Sequence, residues 1–86
     1  MRRGTADISP RSAEVLRFVV DFKRAHAGDG PTRREIAAGC EIPSTANVQY
    51  HLQVLERRGL LRLGERGRIA VVGAVWLPGI AISNEL

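Results

Sequence analysis

A small α+β domain, a three-helix bundle followed by a β-hairpin, is the fold class this sequence predicts. Three observations lead to it. Two hydroxyl-capped helix starts stand either side of a tight turn, the second of these helices carries one narrow apolar stripe, and after Gly59 the hydrophobic period changes from helical to extended. Helix, turn, helix and hairpin in that order are the parts of a winged helix-turn-helix, with the hairpin as the wing. The 86 residues suit a single domain, 1–86, with its core over about 8–72 and an apolar tail over 73–86.

The first helix begins at Ser9-Pro10, a capping hydroxyl before a proline whose missing N–H and fixed φ suit the first helical position. Ala13, Leu16, Val19, Val20 and Lys23 follow a helical repeat, and Val15, Phe18 and Phe22 widen the arc enough to be covered on two sides. The helix should reach about Ala27, where Gly28-Asp29-Gly30-Pro31 breaks it. Thr32 and Glu35 then form a capping box, Ile36 and Ala37 face inward, and Gly39 is expected to end the second helix. A turn through Cys40, Glu41, Ile42 and Pro43 leads to Ser44, the cap of a third helix in which Val48, Leu52 and Leu55 make the core stripe. Beyond Gly59, Leu60–Leu63 and Arg68–Val72 flank the Gly-bounded connection Gly64-Glu65-Arg66-Gly67, a hairpin signal. The tail bears Val75, Trp76, Leu77, Ile80 and Ile82 around a Pro78-Gly79 turn, and is expected either to add a strand to its own domain or to make a dimer contact.

Composition narrows the function. Thirteen Lys+Arg against nine Asp+Glu leave a net charge of +4, which favours polyanionic partners, and all the basic residues but Lys23 are arginine, whose planar fork suits phosphate and guanine. Cys40 is the single cysteine, so neither an internal disulfide nor a cysteine-built metal site can form, and it reads as a small buried filler. His26 and His51 have no acidic partner at ligand spacing; no metal and no cofactor are expected. Arg2 and Arg3 precede no apolar leader segment, and no stretch is long enough to span a bilayer, which points to a cytoplasmic protein. Ser44 lacks a general base at a recognisable spacing, so the chain is not expected to be an enzyme.

Turning Val48, Leu52 and Leu55 inward at 100° per residue puts Ala46, Tyr50, Gln53 and Arg57 on the far side of the third helix, with Asn47 and Gln49 on its flanks. A merely solvated face usually carries Glu/Lys pairs; this one is uncharged and rich in hydrogen-bonding groups, with no acidic residue between Ser44 and Val54. Asn47, Gln49, Gln53 and Ser44 can bond base edges, and the Thr45 and Ala46 methyls can meet a thymine methyl. Arg33 and Arg34 in the first turn of the second helix, Arg66 and Arg68 in the wing, and Arg57 are the expected phosphate contacts. Arg57 also complements the dipole of its own helix end, and His51 sits on the helix shoulder as a boundary residue.

Ser9-Pro10-Arg11, Glu14-Val15-Leu16, Pro31-Thr32-Arg33-Arg34-Glu35-Ile36-Ala37 and the run from His51 to Leu61 resemble the DNA-binding domain of the LexA family of bacterial SOS repressors, over about residues 8–72. The resemblance implies operator binding, with base contacts from Ser44, Ala46, Asn47, Gln49 and Tyr50. That family usually carries small or acidic residues where Asn47, Gln49 and Tyr50 stand, so its operator sequence is not carried over, and Glu41 replaces a glycine common in its turn. The family's self-cleaving protease domain has no counterpart up to Leu86, and the single lysine lies in the first helix, so self-cleavage is not implied. The expectation is a sequence-specific regulator of double-stranded DNA, a repressor acting as a homodimer on a two-fold site; the alternative is a winged helix that binds a protein partner as an adaptor or anti-repressor.

Overall fold

The computed structural model describes residues 8–77 and 80–83, with side-chain surroundings over 8–73. Within them run α1 (Pro10–Ala25), α2 (Arg33–Cys40), α3 (Thr45–Arg57), β1 (Leu61–Leu63), β2 (Ile69–Val71), β3 (Ala74–Leu77) and β4 (Ile80–Ser83). The three helices pack on one another, and β1 lies against α3. Helix-turn-helix and wing are thus present as predicted.

Each helix opens on its expected cap. The Ser9 hydroxyl accepts from the Ser12 N–H, Thr32 and Glu35 make both bonds of the capping box, and the Ser44 hydroxyl accepts from the Asn47 N–H. α1 stops at Ala25, short of Ala27, because the chain turns left-handed at Ala27 (φ 54°) and Gly28 (φ 98°) and the Gly28 N–H bonds back to the Lys23 carbonyl at 2.8 Å. Its buried line is Ser12, Val15, Val19 and Lys23, whereas Ala13, Leu16 and Val20 are half-buried. The pattern contained Val15, Val19 and Lys23 and missed Ser12, because its hydroxyl does not read as a core position. Both are satisfied: Ser12 Oγ lies 2.8 Å from His51 Nδ1, and Lys23 Nζ donates to the carbonyls of Gly28 (2.7 Å) and Ile69 (2.9 Å), tying the α1–α2 loop to the wing.

Gly39 does not end α2. The helix continues through Cys40 and is capped by Glu41 in the left-handed region (φ 57°, ψ 46°). Gly39 has a tertiary reason: a Cβ at this position would overlap the Phe18 ring of α1. In an exposed helix Gly→Ala gains about 1 kcal/mol, but forcing a methyl into packed space costs about 1–3 kcal/mol, so Gly39→Ala should be a net loss of about 1 kcal/mol. Glu41→Gly should do the opposite, gaining about 1 kcal/mol by relieving a left-handed residue that carries a Cβ. Urea melts of the two variants test this pair of signs; a more stable Gly39→Ala protein would show that the Phe18 ring simply moves aside. The end of α2 is also held by Arg11, whose guanidinium donates to the carbonyls of Cys40 (3.0 Å) and Glu41 (3.3 Å), a cation at the negative end of the helix dipole.

Val48, Leu52 and Leu55 of α3 are fully buried, together with Val15, Val19, Ile36 and Leu61 at 0–1 % exposure. α3 ends at Arg57, with Gly59 left-handed at φ 78° two residues later. The wing pairs Leu61 with Val71, Arg62 with Ala70 and Leu63 with Ile69, so Leu61 and Ile69 point into the core and Arg62 and Ala70 outward. At its tip the Arg68 N–H bonds the Glu65 carbonyl at 3.2 Å, with Arg66 (φ 58°) and Gly67 (φ 75°) between them, the geometry of a type I′ turn.

The tail forms a ribbon of its own. β3 and β4 pair with each other as a second antiparallel ribbon, Val75 opposite Ile82 and Trp76 opposite Ala81, and neither joins the wing sheet. Gly73, left-handed at φ 84°, turns the chain away directly after β2. β4 runs beside α1. The side chains of Val75, Trp76, Leu77, Ile80 and Ile82, and the turn at Pro78-Gly79, lie outside the described part.

Candidate nucleic-acid interface

One helix face gathers most of the predicted base-reading residues. With the Val48/Leu52/Leu55 edge fully buried, Ser44, Thr45, Ala46, Asn47, Tyr50 and Gln53 are exposed, and Tyr50, at 59 %, is one of the two large apolar side chains most open to solvent among the described residues. The Tyr50 ring rests edge-on against His51, with centroids 5.2 Å apart, which narrows its freedom without burying it. No acidic side chain interrupts the face before Glu56, and Glu56 is turned aside, its Oε2 accepting from the Leu63 N–H at 3.0 Å.

Gln49 is different. It is half-buried in a notch of about 730 Å³ between the first turns of α2 and α3, lined by Thr32, Arg33, Arg34, Thr45 and Ala46. Its Oε1 accepts from Arg33 Nε at 3.0 Å, and Arg33 Nη1 donates to the Gly67 carbonyl at the wing tip at 2.9 Å. Arg33 therefore bridges recognition helix and wing, an engagement that sequence could not reveal because its partners lie 16 and 34 residues away.

Of the other expected phosphate contacts, Arg34, Arg57, Arg66 and Arg68 are all exposed, and among the described residues none is tied to the protein by a side-chain hydrogen bond or ion pair. Arg66 and Arg68 share a cleft of about 870 Å³ between the α1–α2 loop and the wing with a residue the sequence reading left out, Arg62. The signal was there: strand alternation with Leu61 and Leu63 inward puts Arg62 outward, next to the wing's other arginines.

Two titratable groups near the interface are structural. Burial, and to a lesser degree Glu14, pushes the Cys40 thiol above its usual range, as befits a buried filler. Burial, then the Arg11 charge, holds the His51 imidazole below its ordinary value of 6.5. The unfolded chain therefore binds a proton more readily than the folded one. Stability contributed by neutral His51 is complete above about pH 6.5 and is lost as pH falls below it toward the lower folded value. Urea unfolding between about pH 5 and 7.5 should show a steeper acid-side fall for the wild type than for His51→Asn; parallel curves would contradict it.

Three helices, a hydroxyl-capped recognition helix with its polar side outward, and an arginine-bearing hairpin define the class: a winged helix-turn-helix domain of the DNA-binding type. The model of the LexA DNA binding domain matches residues 5–68, and the chain belongs to that family. It is similar to LexA repressor 1 of Geobacter sulfurreducens, 46 % identical over 70 residues that cover 78 % of this chain and 34 % of the relative. The LexA repressor of Myxococcus xanthus is 40 % identical over 82 residues, covering 92 % of this chain and 36 % of that protein. The chain thus spans about a third of the length of these curated relatives. No helix among the described residues is long and apolar enough to cross a membrane.

Proposed function

We propose that this chain is a sequence-specific double-stranded-DNA-binding repressor module that lays the helix at 44–58 in the major groove. One observation carries the reading: the edge of α3 that must be inside is fully buried, which leaves an uncharged hydrogen-bonding face outward between free arginines. Ser44, Thr45, Ala46, Asn47, Gln49, Tyr50 and Gln53 read base edges and thymine methyls. Arg34, Arg57, Arg66 and Arg68 hold phosphates, joined by the guanidinium N–H groups of Arg33 that Gln49 and Gly67 do not use. The module acts by occupying DNA, not by catalysis, as a cytoplasmic protein. Its two-fold partner is a second copy, joined through the ribbon that carries Val75, Trp76, Leu77, Ile80 and Ile82. An intact dimer in sedimentation of Trp76→Ala would remove that dimer contact from the proposal.

Selection of bound duplexes from a random pool tests the reading. Enriched sites with two-fold symmetry are expected, and binding should weaken steeply with salt. A pool with no enrichment would instead point to a protein partner for the same face.

A further inference from the structure

The contact between Arg33 and Gln49 bears on which base the site reads. A free glutamine side chain offers one acceptor and one donor group and can turn its amide either way, the arrangement that matches the donor and acceptor of adenine. Gln49 is not free in this sense. Arg33 Nε carries an N–H that can only donate, so the Gln49 atom 3.0 Å from it must be the carbonyl oxygen, and the amide orientation is fixed by chemistry. The guanidinium is itself held from the other side by the Gly67 carbonyl at 2.9 Å, so it cannot rotate away without releasing the wing. With Oε1 drawn toward α2, the –NH₂ end is the part left to meet a ligand.

We infer that Arg33 is a positioning residue that locks the Gln49 amide with its –NH₂ outward, so that Gln49 reads a double-acceptor base edge, guanine O6/N7, and discriminates against adenine. This rests on the DNA-reading function proposed above. Adenine presents its N7 acceptor beside an N6 amino group, and a second –NH₂ facing that amino group has no acceptor to meet. Guanine presents two acceptors side by side, one for each amide hydrogen. The resulting preference for guanine over adenine at that one position should be on the order of tenfold, within the range of a bidentate base contact.

The test is site selection from random duplex DNA by the wild type, Gln49→Ala, Arg33→Met and Gln49→Glu. The position whose preference vanishes in Gln49→Ala is the one Gln49 reads. The wild type should select guanine there. Arg33→Met, which keeps the aliphatic stem, should let adenine rise to parity at that position and leave the others as they were. Gln49→Glu pairs one carboxylate oxygen with Arg33 and presents the other outward, so its choice should move to cytosine, whose N4 amino group is a donor. A gained preference of this kind cannot come from a folding defect. Wild-type selection of adenine, no position sensitive to Gln49→Ala, or an Arg33→Met profile unchanged in identity would each overturn the inference while leaving DNA reading itself intact. Failure of the wild type to enrich any sequence would remove the reading on which it rests.

Discussion

Leu52→Ala is expected to cost about 3–4 kcal/mol and to lower the Tm by on the order of 15 °C. Leu52 is fully buried at the centre of the α3 stripe, between Val48 and Leu55, so truncation leaves a cavity that the packed neighbours fill only in part. A small domain is stabilised by only about 0.05–0.15 kcal/mol per residue, so this one substitution should consume much of the total and abolish DNA binding through loss of fold. Gln53, one position on and exposed, provides the contrast. Gln53→Ala should leave stability within about 0.5 kcal/mol of the wild type and weaken DNA binding alone. Thermal melts and anisotropy titrations of the two proteins together show which edge of α3 is inside. Equal destabilisation by both would mean that the helix is rotated from the orientation described.

The double variant Arg66→Asn/Arg68→Gln should separate affinity from stability in opposite directions. Arg66 occupies a left-handed position (φ 58°, ψ 34°) at the wing tip, where a side chain with a Cβ costs about 1–2 kcal/mol and asparagine is better tolerated. Relief of that strain should make the fold up to about 1 kcal/mol more stable. DNA binding should move the other way. Loss of two phosphate contacts lowers the salt slope by about 1.8, so the loss of affinity between 50 and 200 mM salt shrinks by about tenfold, and binding at the lower salt is weaker than that of the wild type. An unchanged slope would show that the wing arginines do not touch the backbone, whatever their exposure.

Much of this fold was legible because its signals are local. Ser9, Thr32 and Ser44 sit one residue ahead of helices that could not satisfy their first N–H groups otherwise, and the Val48/Leu52/Leu55 spacing fixes which face of α3 is free. The features that escaped are tertiary. Gly39 reads as a helix stop until the Phe18 ring is seen against it, and the buried face of α1 is closed at its ends by Ser12 and Lys23, polar residues whose partners, His51 for Ser12 and the Gly28 and Ile69 carbonyls for Lys23, cannot be read from the pattern. Arg33 fits a phosphate contact by its place in the first turn of α2, yet two of its N–H groups are spent inside the protein because wing and recognition helix converge on it. Arg62 was passed over although strand alternation exposes it. Which α3 side chains stand outward was thus readable, and the couplings among the residues around them were not.

Methylation interference on a selected duplex measures the central claim, that the outward face of α3 enters the major groove. Methylation of guanine at N7 alters the major groove, and methylation of adenine at N3 alters the minor groove. Binding should be lost when guanine N7 is methylated within the half-site facing Ser44 to Gln53, with adenine N3 methylation acting only where the wing approaches. Interference confined to adenine N3, with guanine N7 methylation tolerated throughout, would contradict a major-groove role for α3.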